Sequence, residues 1–238
     1  MSPGDADGLG HVRKKELQQS AKHLGLRDES DVFIVDDPSR FPDSMTRKWA
    51  DTDLSSVLVS AFAPELDELA NKSSSSSRRK QNGSTAASNK PPTPSIDVLL
   101  TFDQHGVSSH PNHISLYYGA VHFLRTLMKD KPGFSCPVTL YTLTSTSIFR
   151  KYVGVLDAPL TMFLGVLGSL RSVISRSGDR KSAAEHPPRL LFVSSVTEWK
   201  TALSAMVNCH KSQMVWFRWG WISLGRYMAV NDLKREKV

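Results

Sequence analysis

Cysteine is nearly absent. Two occur in 238 residues, Cys136 and Cys209, in no CxxC or zinc-finger spacing. This argues against a disulfide framework and for a reducing compartment. No apolar stretch of signal-peptide type precedes the first charged residues. An unbroken apolar run of about 20 residues, the usual length of a membrane span, is also missing. The nearest candidate, Val153 to Leu170, is interrupted by Asp157, Pro159 and three glycines, and reads as a buried or interfacial helix. Recognised nucleic-acid-binding motifs are lacking, so nucleic acid is set aside as a partner. The formal charge of +7 therefore points to a membrane surface or a phosphate-bearing ligand.

What is present is enough apolar residue, 39%, for one sizeable core, and the length fits a single domain. Helix-like and strand-like stretches alternate, which predicts an α/β fold with a mainly parallel, Rossmann-like sheet and helices on both faces. Strands are predicted at 31–36, 96–102, 138–143 and 190–193. Helices are predicted at 10–24, with Gly25 beyond its end, at 52–69 with a break at Pro64, at 114–128, and after a cap at Ser195 or Thr197. Residues 71–95 hold five consecutive serines, Arg78-Arg79-Lys80 and three prolines, and read as a disordered surface insert. A second polar insert covers 175–188, leaving 1–70 and 96–238 as the folded domain. The sequons at Asn71 and Asn82 lie in or beside the first insert.

The chemical centre is Thr101-Phe-Asp-Gln-His-Gly-Val-Ser-Ser-His-Pro-Asn-His113, between a predicted buried strand and a predicted helix. In open α/β sheets the carboxyl end of a strand is where ligands bind. Pro111 suits a helix's first turn, which puts His110 and His113 together at its N-terminus. The helix dipole there favours neutral imidazole, the form that coordinates metal. Taken alone, an HxxH pair also fits capping or core histidines.

The ordered motifs go further. Asp7-Gly-Leu-Gly-His-Val-Arg-Lys-Lys-Glu-Leu17, Val35-Asp-Asp-Pro38, Phe41-Pro-Asp-Ser44, Leu100 to Gly106, His110-Pro-Asn-His113, and Ser212 to Trp219 with Arg226-Tyr-Met228 together resemble the PIG-L family. These are N-acetylglucosaminyl-phosphatidylinositol de-N-acetylases within the LmbE-like deacetylase superfamily. The resemblance covers nearly the whole chain apart from the two polar inserts. It implies a zinc-dependent hydrolase that removes acetate from N-acetylglucosaminyl-phosphatidylinositol in GPI-anchor biosynthesis, at the cytosolic face of the endoplasmic reticulum membrane. By the same resemblance His113 is a zinc ligand and His110 the catalytic group that meets the oxyanion or protonates the leaving amine. Arg13 and Asp43 become contacts for sugar or inositol hydroxyls. Asn112 stands where some bacterial relatives have aspartate, so an aspartate-assisted histidine is not available from that position.

The family's other catalytic motif, a His-Pro-Asp-Asp string carrying two zinc ligands and the general base, does not occur in these residues. The expectation is therefore a chain that starts downstream of the family's first strand and anchor helix, inactive and poorly folded alone. A non-catalytic glycolipid-binding or regulatory relative is the alternative. The run Gln213 to Met228, rich in Trp with Arg218 and Arg226, fits either a lipid headgroup layer or a buried C-terminal helix.

Overall fold

The computed structural model describes residues 8–66, 90–175 and 186–238. Both sequons, the Arg78-Arg79-Lys80 run and most of the two polar inserts lie outside those residues. In chain order the helices are α1 (Gly10–His23), α2 (Asp51–Phe62), α3 (Pro111–Leu127), the single turn α4 (Ile148–Lys151), α5 (Asp157–Ser175), α6 (Val196–Ser204) and α7 (Trp216–Leu224). The strands are β1 (Val98–Phe102), β2 (Thr139–Leu143), β3 (Arg189–Val193) and β4 (Val230–Arg235). The fold is α/β, as the alternation predicts. The chain forms two compact units, one from Met1–Ser44 with Thr144–Lys234, the other from Met45–Leu143 with Arg235–Val238.

The second unit is a β1-α3-β2 crossover. Its strands pair in parallel, Val98 opposite Thr139 through Phe102 opposite Leu143. In α3, Ala120, Phe123, Leu124 and Leu127 recur at helical spacing and bury one face. They pack with Val59 and Ala63 from α2 and its end, and with Val138 and Leu140 around β2. Each fully buried side chain of this size contributes about 1.5–3 kcal/mol. Gly119 lets the two helices approach, because a Cβ there would overlap the Leu54 side chain. The register is pinned where the Trp49 N–H donates to Ser115 Oγ (3.0 Å), which donates to the Pro111 carbonyl (2.8 Å).

The first unit is held differently. Its strands β3 and β4 pair antiparallel, Arg189 opposite Lys234 through Val193 opposite Val230. The parallel arrangement thus holds for β1 and β2, and this second pair departs from it. Helix α1 ends where predicted: Gly25, at φ 101°, donates to Lys22 O, and Leu26 donates to Ala21 O. Helix α6 starts on a capping box, Ser195 Oγ accepting from Glu198 N–H and the Glu198 carboxylate accepting from Ser195 N–H.

One expected strand is corrected. Residues 31–36 form no strand; a short 3-10 turn ends at Asp31, the rest is irregular, and Phe33 is 85% exposed. An apolar run becomes a strand only when a neighbour takes its backbone groups. Here Asp36 instead pairs with Lys14 of α1, and Asp37 organises the next turn. Its carboxylate accepts from Ser39 N–H (3.1 Å), Ser39 Oγ (2.5 Å), Arg40 N–H (3.1 Å) and Arg40 Nε (2.6 Å). Those bonds, led by Ser39 and then Arg40, hold its carboxyl well below the usual range.

Candidate active site

The segment between β1 and α3 carries the two histidines. Asp103 Oδ1 accepts from the N–H groups of His105 (3.0 Å) and Gly106 (3.1 Å), folding the chain back as it leaves the strand. Three residues then adopt positive φ: Gly106 at 62°, Val107 at 59° and Ser109 at 58°. For a β-branched valine this is a strained conformation, of the kind that clusters at functional sites. Gly106 is needed for space as well, since a Cβ would sit 3.0 Å from His113 Cβ and from Ile114 Cγ1.

His110 is the N-cap of α3 and Pro111 its first residue. The Asn112 N–H donates to His110 Nδ1 (3.2 Å). In the neutral ring the proton then sits on Nε2, so His110 presents an N–H donor outward. His113 has the opposite arrangement. Its Nδ1 lies 3.1 Å from the Gly106 carbonyl oxygen, which can only accept, so Nδ1 carries the proton and the Nε2 lone pair is open. A backbone carbonyl on the far nitrogen is the usual way a metal-binding imidazole is oriented. The ring stacks on Phe102 of β1, centroids 4.0 Å apart, and lies 5.1 Å from the His110 ring. Burial is the main effect pushing the His113 pKa down, with the neighbouring His110 adding to it and the Gly106 bond opposing. The pair thus holds one donor and one lone pair side by side.

Arg13 and Asp43 belong to the first unit, on α1 and on the loop after the Asp37 turn. The Lys14–Asp36 ion pair ties that helix to the start of that loop, and fully buried Phe41 anchors it two residues before Asp43. Sequence reading passed over Glu16, one turn beyond Arg13. Its carboxylate accepts from Ser212 N–H (2.7 Å) and Ser212 Oγ (2.5 Å), across 196 residues of chain. Both residues lie inside quoted motifs, but their pairing carries no local signal. Nor was Asn112 expected to be buried, with an Oδ1 that has no protein partner.

A catalytic zinc usually takes three protein ligands. Among the described residues no three His, Cys, Asp or Glu side chains gather closely enough to hold a metal. His113 fits as one ligand; the described residues do not complete the set.

A family model described as PIG-L, GlcNAc-PI de-N-acetylase, matches residues 1–124. The chain is 55% identical to the N-acetylglucosaminyl-phosphatidylinositol de-N-acetylase of Arthroderma benhamiae over 99% of this chain and 69% of that one. The chain belongs to the PIG-L family. PIG-L relatives with the same name are more distant elsewhere. The probable N-acetylglucosaminyl-phosphatidylinositol de-N-acetylase of Schizosaccharomyces pombe is 34% identical over 99% of this chain and 72% of its own length, and the N-acetylglucosaminyl-phosphatidylinositol de-N-acetylase of Bos taurus is 30% identical over 98% and 69%. No solved structure matches the chain. His110 and His113 are read below as PIG-L positions.

Proposed function

We propose that the chain acts as an amide hydrolase of GPI-anchor biosynthesis, removing acetate from N-acetylglucosaminyl-phosphatidylinositol and leaving glucosaminyl-phosphatidylinositol. The observation that carries this reading is the complementary pair of imidazoles. In the reaction water adds to the acetyl carbonyl, the C–N bond breaks, and the amine leaves with a proton. His110 Nε2–H is the donor for the developing oxyanion, and the amine nitrogen takes its proton from the attacking water. His113, oriented by Gly106 and held neutral by burial, is one ligand of a zinc ion. Such an ion, when bound, supplies a Lewis acid and lowers the pKa of its water to roughly 7. Arg13 and Asp43 hold hydroxyls of the sugar or inositol. The reaction takes place at the cytosolic face of the endoplasmic reticulum membrane, a placement supported by Cys136 and Cys209 remaining free thiols.

A second reading has its own observation. The incomplete ligand set among the described residues fits a relative that binds the glycolipid without cleaving it. Acetate release from the glycolipid, measured with zinc supplied, separates the two. Hydrolysis predicts turnover that His113→Ala abolishes and His110→Gln lowers by about 10²–10³. Binding without turnover in the unsubstituted protein supports the second reading.

A further inference from the structure

Helix α5 is apolar from Met162 to Leu170 apart from Ser169. Its first turn buries Asp157, Ala158 and Thr161, yet from Met162 to Leu170 each described side chain is exposed or half-exposed, with Phe163 at 62% and Leu167 at 42%. A helix hydrophobic all round is normally covered. Helix α7 adds Trp216, 86% exposed, and Trp219, 50% exposed, while Ile222 is its buried anchor. The approach to α5 adds exposed Phe149 and Leu156.

These helices share a root within the first unit. Asp157, the first residue of α5, pairs with Arg226 just after α7. It also accepts from Arg150 Nε (2.8 Å) and Nη2 (2.9 Å), the Arg150 of α4. Thr161 Oγ1 donates to Asp157 (2.7 Å) and accepts from Arg226 Nη2 (3.1 Å). Gly154 sits where a Cβ would meet the carbonyl of Leu224, the last residue of α7, at 3.4 Å. A charge cluster centred on buried Asp157 and Arg226 thus fixes α5 and α7 to each other while leaving their apolar surfaces uncovered.

We propose that this surface docks on a lipid bilayer, with α5 and the Trp-bearing α7 lying in the headgroup and upper acyl layer of an anionic leaflet. The proposal rests on the glycolipid substrate reading above. Charge selects the occupant. Residues 148–170 and 215–224 contain Arg150, Lys151 and Arg218 but one acid, Asp157, which is buried in the cluster. Within these two segments no carboxylate is therefore left to face the lipid phosphates, and exposed tryptophans suit the interface. The face lies on a bilayer rather than crossing it, since among the described residues no helix is long and apolar enough to span one.

The test is co-sedimentation of the full chain with vesicles of phosphatidylcholine, alone or mixed with phosphatidylinositol. Binding is expected to be stronger with phosphatidylinositol and to fall by roughly tenfold in Phe163→Asp and in Trp216→Asp. Phe33→Asp, an equally exposed aromatic elsewhere, should bind like the unsubstituted chain. Circular dichroism of each variant checks that it is folded. Binding unchanged in both face variants overturns the proposal. So does self-association without vesicles that the same substitutions abolish, which would make a second copy the occupant. Deacetylation of a lipid-free N-acetylglucosaminyl-inositol analogue keeps the two readings apart. If only the docking proposal fails, the face variants match the unsubstituted chain on vesicles and on the analogue. If only the enzymatic reading fails, neither substrate is cleaved but vesicle binding still follows the face.

Discussion

The two units are built on opposite principles. The second is packed: α2, α3 and β2 bury a continuous set of apolar side chains. Among the described residues the first buries Phe41, Ile222 and Met228 besides a small cluster of Ala158, Ala229 and Val230 with Trp199 against it, and a network of charges lies beside that cluster. Arg226 is 0% exposed, and besides Asp157 and Thr161 it donates to Asp232 Oδ1 (3.1 Å). Apolar packing tolerates loss in proportion to volume. A buried ion pair is costly to break at one end and nearly neutral to replace whole. The unit that presents uncovered apolar helices is thus the one fixed by directional bonds.

The largest effect should come from breaking that network. Arg226→Leu is expected to destabilise the first unit by about 3 kcal/mol, because buried Asp157 is left with Arg150 as its cation and Asp232 loses its guanidinium partner. Replacing both, Arg226→Leu with Asp157→Leu, should recover most of that loss. Denaturant titration of the single and double variants measures it. For contrast, Phe123 of the second unit has no partner whose replacement could restore a Phe123→Ala variant. A double variant no better than the single one would show the network to be ordinary packing.

A smaller effect follows from acid. Burial alone would raise the Asp157 carboxyl, but hydrogen bonds from Arg150, Thr161 and Arg226 outweigh it and bring the pKa to about 2. Its folded value lies below the unfolded one, so the carboxylate stabilises the fold above about pH 4 and loses that contribution as pH falls through about 2. The contribution is on the order of 2–3 kcal/mol. Thermal unfolding between those values should show the loss, and Asp157→Asn should flatten it.

Local signals were legible in the sequence. Pro111, Gly25 and a cap at Ser195 or Thr197 each act within one turn; the first two govern the helix ends as expected, and the structure settles the third on Ser195. Strands at 98–102, 139–143 and 189–193 follow from short apolar runs. Two misses have physical causes. The apolar run at 31–36 has strand composition but no ladder partner among the described residues. Strand β4 carries Asn231, Asp232 and Lys234, so its composition reads as loop, and it is ladder pairing, with β3 among others, that makes it a strand. Asp157 was read as an interruption of an apolar run, whereas the structure makes it the root of the helix. Its partner Arg226 lies 69 residues away, and Glu16 with Ser212 lies 196 apart. Local periodicity does not reach that far. At the site, the histidine pair was legible, but the assignment of its protons depends on Gly106 O and Asn112 N–H, which only the folded loop brings into place.

The most direct measurement is therefore the tautomeric state of those two rings, read from imidazole ¹⁵N chemical shifts near neutral pH. The account predicts opposite tautomers, with the proton on Nδ1 in His113 and on Nε2 in His110. The same tautomer in both rings would contradict it.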